Sequence, residues 1–157
     1  MKSKFKIHED EDYLLLKLEG GIYAIKINEI KEVVSLRANN IKQFTSTMHQ
    51  VVGVAKIRED IVTLIDLSTL IDGQGASLEN GVAKVILVGD DKSNGKKIGL
   101  MVKDVLDVCK IPRDSIIPAL GMPDYITGFY SMNEELITVL DVKNFLKSMC
   151  LGDVCDK

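Results

Sequence analysis

Sliding the chain along itself by 75 positions carries Gly53 onto Gly128, Glu59 onto Glu134, Thr63 onto Thr138 and Asp66 onto Asp141. The same offset sets Ile27 on Val102, Glu29 on Asp104, Ile30 on Val105, Glu32 on Asp107, Val33 on Val108 and Ile41 on Ile116. It holds without a gap from 25/100 to 71/146. One ungapped offset over that span is hard to reach by chance among short apolar segments, so the chain reads as a duplicated unit of about five strands. Its period exceeds the roughly 20–50 residues of solenoids and propellers, which makes two lobes the expected outcome rather than an array.

Within each repeat the apolar runs are short and turn signals frequent, the signature of strands. Strands are expected at Tyr13 to Leu18, Ile22 to Ile27, Glu32 to Leu36, Val51 to Ile57 and Ile61 to Ile65. The second set is Val82 to Val88, Lys97 to Val102, Val105 to Ile111, Thr127 to Met132 and Leu136 to Leu140. Arg37 to Gln50 and the stretch holding Pro112, Pro118 and Pro123 read as loops, and Asp90 to Gly95 reads as a hairpin turn. Asp66 and Asp141 each precede a short helical run, where a carboxylate accepts free backbone N–H groups as an N-cap. Closure removes exposed sheet edges, so the expected fold is all-β: two small five-stranded barrels side by side, joined by a linker around Gly73 to Gly81. The domain is expected over 12–147, with an N-terminal arm at 1–11 and a tail at 148–157.

Several chemistries lack their residues. Net charge is −3, and the densest basic stretch, Lys92 to Lys97, sits beside Asp90 and Asp91, which argues against a nucleic-acid partner. No apolar run approaches the roughly 18–20 residues of a membrane span, and the N-terminus has no apolar signal region, so a cytoplasmic protein is expected. Gly89 to Lys97 misses the phosphate-loop spacing, and the run from Asp90 puts Lys92 and Met101 where a calcium loop needs oxygens. Only His8 and His49 could serve as histidine bases, with no nucleophile motif beside either. Cys109 reads as a small core residue, and the Cys150–Cys155 spacing matches neither redox nor zinc sets. No enzyme, metal or cofactor is expected.

Some residues exceed what folding needs. Arg58 stands at a hairpin tip where the other repeat has Asn133, and its five donors in a rigid fork suit carboxylates or carbonyls of a partner. Glu32 and Asp107 are acidic in both repeats. Val33-Val34 and Val51-Val52 put β-branched residues on both faces of their strands, so a second face must be covered by the other lobe or a partner. A groove left beside that contact suits a docking helix.

These residues carry a family resemblance. Tyr23-Ala24-Ile25-Lys26-Ile27-x-x-Ile30-x-Glu32-Val33-Val34 resembles the opening of CheW-like chemotaxis coupling proteins, as do Val52-Gly53-Val54-x-x-Ile57-Arg58 and Leu64-Ile65-Asp66-Leu67. The second repeat agrees through Ile98-Gly99-Leu100-Met101-Val102-x-x-Val105-x-Asp107-Val108, Tyr125-Ile126-x-Gly128 and Leu140-Asp141. The resemblance implies SH3-like barrels and a non-enzymatic adaptor. Its implied partners are the cytoplasmic tips of methyl-accepting chemoreceptors and the histidine kinase CheA, within membrane-associated receptor arrays. It implies a receptor contact at Arg58, with Ile30, Glu32, Val33, Gly53 and Val54 around it and Val85 and Leu87 as further groove positions. A scaffold for another kinase pathway, such as surface motility, and a small-molecule binder using the interlobe cleft are the alternatives. The chain departs from the family pattern at Glu59, where Gly usually follows the Arg, at Thr63, where Pro is common, and before Gly53, where a Pro is common and none occurs. Gly serves turns needing positive φ, so Glu59-Asp60 is expected to change the hairpin tip.

Overall fold

The structure, a computed structural model, describes residues 10–44, 50–72, 81–89 and 97–148. The first repeat forms β1 (Asp10–Leu18), β2 (Gly21–Lys26), β3 (Ile30–Arg37), β4 (Ile41–Gln43), β5 (Val51–Ile57), β6 (Asp60–Asp66) and the helix α1 (Leu67–Asp72). The second forms β7 (Val82–Val88), β8 (Ile98–Val102), β9 (Asp104–Pro112), β10 (Ile117–Pro118), β11 (Ile126–Met132), β12 (Glu135–Leu140) and α2 (Val142–Ser148). The 75-residue offset survives in three dimensions: β5 maps onto β11 residue for residue, and the 3₁₀ turn Ala38–Asn40 maps onto Arg113–Ser115. β1 begins at Asp10, inside the expected arm. The Asp90 to Gly95 turn lies outside the described residues.

The strands build two mixed sheets. One runs β10-β11-β12-β2-β1-β9 and the other β4-β5-β6-β8-β7-β3. Written in repeat equivalents the two orders are identical. Each sheet, however, takes its β1–β2 or β7–β8 hairpin from the repeat that does not supply its other strands. The graft is parallel in both cases: β12 runs beside β2 from Ile137↔Ile22 to Leu140↔Ile25, and β6 runs beside β8 from Thr63↔Ile98 to Asp66↔Met101.

This exchange corrects the expected domain layout. The chain divides into two compact units, one holding Lys17–Gly21 and Asn28–Val105, the other holding the remaining described residues. The segment around Gly73 to Gly81 therefore joins α1 to β7 inside a single unit and is not a link between lobes. A sequence repeat shows that two segments fold alike, but not which copy of a strand fills which sheet. Each sheet also has six strands where five were expected. The sixth is β4 or β10, whose three and two residues are too short to show alternation and lie in stretches read as loops.

In the unit of β3–β8, alternate residues of all six strands meet in one apolar cluster: Leu36, Ile41, Ala55 and Ile57, Val62 and Leu64, Ala83 and Val85, and Met101. Alternation along a strand sends every second side chain to that face. In the other unit Tyr13, Leu15, Ala24, Ile111, Ile137 and Val139 form the equivalent cluster, with Cys109 half-buried against it. Burial pushes the Cys109 thiol up, the charge of Asp107 adding to it, so this cysteine stays a protonated packing residue rather than a nucleophile.

The repeated glycines and aspartates have local causes. At Gly53 and Gly128 the strand bulges, between Val51 and Gly53 and between Ile126 and Gly128. A Cβ at Gly53 would run into the Lys42 carbonyl oxygen, and one at Gly128 into that of Ile117. Asp66 caps α1 through Oδ1, which accepts the Ser68 and Thr69 N–H groups at 3.1 and 3.4 Å, and Oδ2 accepts the Thr69 hydroxyl at 3.0 Å. Asp141 caps α2 through the Asn144 N–H at 3.0 Å. Both caps are as expected.

Candidate interaction surface

The Arg58 side chain does not stand free. Its Nη1 donates to Glu32 Oε1 at 2.7 Å and its Nη2 to Glu32 Oε2, a two-pronged pair that joins the β5–β6 hairpin tip to β3. Each group tunes the other. Chiefly by hydrogen bonding, Arg58 lowers the Glu32 carboxyl below its ordinary 4.5, and Glu32 raises the guanidinium in turn. Asp60 adds a smaller field at Arg58. The pair is exposed, so salt screens it.

The backbone at the tip differs from the sequence-based expectation. Positive φ falls on Arg58 itself (φ 57), and Glu59 has none, so the position after the Arg makes no demand for glycine. In the other repeat both Asn133 (φ 52) and Glu134 (φ 68) are left-handed, the pattern of a type I′ hairpin turn. The two tips occupy equivalent places with different turns and different chemistry. Asp107, the equivalent of Glu32, accepts its neighbour Val108's N–H at 2.9 Å instead of a guanidinium.

Around Arg58 the other expected site residues divide between the two faces of the sheet. Glu32 lies opposite Leu87 in the β3–β7 register, two positions before Val34, and both Leu87 and Val34 pack on the apolar cluster. The Arg58–Glu32 pair is therefore at the margin of that core face. Val33 and Val54 alternate with core-facing Val34 and Ala55 and so point to the reverse face. Val33 is 41% exposed and Val54 half-buried. Ile30 is half-buried beside the register shift at the start of β3.

Val85 is a correction: it is 0% exposed and offers a partner no surface, because β7 is covered on both faces. Gly53 is likewise buried, and its place is at the bulge. Sequence reasoning passed over Ile61 and Leu136, repeat equivalents on β6 and β12 that are 63% and 64% exposed. The offset that aligned them was itself the available signal. Glu32 as the partner of Arg58 could not be read, since the two are 26 residues apart and Arg58 sits in the turn between two strands that do not adjoin β3.

Taken together, these features define a strand-built binding module of two sheets. Its candidate site is the open edge strand β3 beside a hairpin locked to it by an ion pair. Among the described residues no helix is long and apolar enough to cross a membrane. The sequence model of the CheW-like domain matches residues 12–150, and the chain belongs to that family of chemotaxis adaptors and scaffolds. It is 24% identical over 143 residues to chemotaxis protein CheW of Klebsiella aerogenes, covering 88% of this chain and 82% of that protein. It shares its fold with the crystal structure of the scaffolding protein TtCheW from Thermoanaerobacter tengcongensis at a TM-score of 0.72 and 22% identity, over 94% of this chain and 96% of the other.

Proposed function

We propose that this chain is a non-enzymatic coupling protein that holds chemoreceptor cytoplasmic tips and a CheA-type histidine kinase in one cytoplasmic assembly. The face around Arg58 is the receptor contact. Family membership supports the role. The observation that carries the site is that the edge strand β3 presents an exposed Val33 on one face and, on the other, the Glu32 that orients Arg58, so a partner laid along this edge meets both. Apolar burial against a receptor helix supplies the affinity there, and the guanidinium, held by Glu32, sets orientation. Ile30 and Val54 give the half-buried border, while Leu87 packs inward on the other face.

The reading is tested with a soluble receptor-tip fragment in direct binding. Val33→Asp should weaken the complex by about 2 kcal/mol, roughly thirtyfold in Kd, with little change in melting temperature because the side chain is already exposed. Val108→Asp, the same change at the equivalent position of the other repeat, should leave receptor affinity unaltered. Equal losses from both substitutions, or none from either, would remove the site assignment.

A further inference from the structure

Within the described chain, the β1–β2 hairpin joins the rest through one short link, the 3₁₀ turn Ile27–Glu29, in which Ile27 and Asn28 are exposed. What the hairpin rests on comes from later in the chain. β9 flanks β1, and β12 flanks β2. Lys110 Nζ lies 2.9 Å from Asp12, and Arg113 3.5 Å from Glu11. At the turn, the Glu19 N–H donates to the Ser68 hydroxyl at 3.3 Å, the Lys103 N–H donates to the Lys17 carbonyl at 3.0 Å, and the Lys103 ammonium lies 3.6 Å from Glu19. The same kind of graft already occurs twice in the molecule, because β7–β8 docks on β6 as β1–β2 docks on β12. A docking made wholly of non-covalent contacts is the same whether β12 belongs to the same chain or to another.

We propose that this chain pairs with a second copy of itself by reciprocal exchange of the β1–β2 hairpin, with Ile27–Glu29 as the hinge. Each hairpin then lies between β9 and β12 of the other copy, with its turn on the other copy's Ser68 and Lys103. Every contact of the closed monomer is kept, and only the path of the hinge changes. The monomer prevails in dilute solution, because its own β12 is present at a high effective concentration. Exchange sets in when hairpins are released at high protein concentration.

The test uses the full chain with Cys109, Cys150 and Cys155 replaced by alanine. One variant carries Ala24→Cys and another Val139→Cys, residues that face each other across β2 and β12 in the same core cluster. The two are mixed, unfolded in urea, refolded together at high concentration and oxidised. A disulfide-linked heterodimer is expected, running as a dimer until reduced, and none is expected when the folded proteins are mixed without unfolding. Refolded material that stays monomeric, or dimers that lack this disulfide, would overturn the exchange. As a check on the wild-type core, unlabelled and isotope-labelled chains refolded together should give mixed dimers that dissociate slowly on dilution. Rapid dissociation would equally count against a hinge that must be refolded.

Discussion

Arg58 holds a left-handed backbone in which a Cβ is crowded, a conformation that glycine or asparagine adopts more readily. Its Glu32 partner fastens the side chain of this strained residue. Because Arg58 lowers the Glu32 carboxyl, the pair contributes fully above the unfolded-chain value and is lost as pH falls through the lower folded value. An NMR titration should therefore place the Glu32 midpoint below 4.5 in the native protein and return it toward 4.5 in Arg58→Ala. Equal midpoints in both proteins would mean that the pair does not persist in solution. Raised salt should shift the native midpoint the same way, since both groups face water. The sequence singled out both residues, Arg58 because its repeat partner is Asn133 and Glu32 because its partner is also acidic. Their union was not readable, because it depends on how a sheet brings the β5–β6 tip to β3.

At the scale of elements, the repeat makes matched experiments possible. Gly53→Ala and Gly128→Ala each push a Cβ against a backbone carbonyl that has no rotamer to yield, so each should cost about 1–3 kcal/mol in denaturant unfolding. Full stability in either variant would show that the bulge can shift. Asp66→Ala and Asp141→Ala each remove a cap, worth about 0.5–2 kcal/mol. The larger loss is expected at Asp66, which is buried and also accepts the Thr69 hydroxyl. Most strands were legible because alternation over five or more residues marks them, and Val51–Ile57 and Val82–Val88 have the expected bounds. β4 and β10 were not, because three- and two-residue strands exist only through the neighbour that pairs with them.

Across the whole molecule, the backbone passes between the two units after Leu16, Gly21, Ile27 and Val105. The unit of β3–β8 holds its whole sheet in one uninterrupted segment, but the other sheet closes only when β1–β2, before that segment, meets β9–β12, after it, so the two should unfold in one transition. All four tyrosines, at 13, 23, 125 and 130, belong to the unit of β9–β12, and the chain has no tryptophan. Tyrosine fluorescence thus reports one unit while far-UV circular dichroism reports both, and their urea transitions should coincide. A tyrosine midpoint displaced from the dichroism midpoint would show independent units. The sequence by itself determined the longer strands, the two caps and the twofold repetition, because these depend on side-chain alternation and capping within a few residues. Only the tertiary structure decided that the repeats trade hairpins, that Val85 is sealed in a core and that Arg58 is held by Glu32. Those outcomes depend on which strand edge each hairpin meets, and two repeats with the same strand order offer equivalent edges.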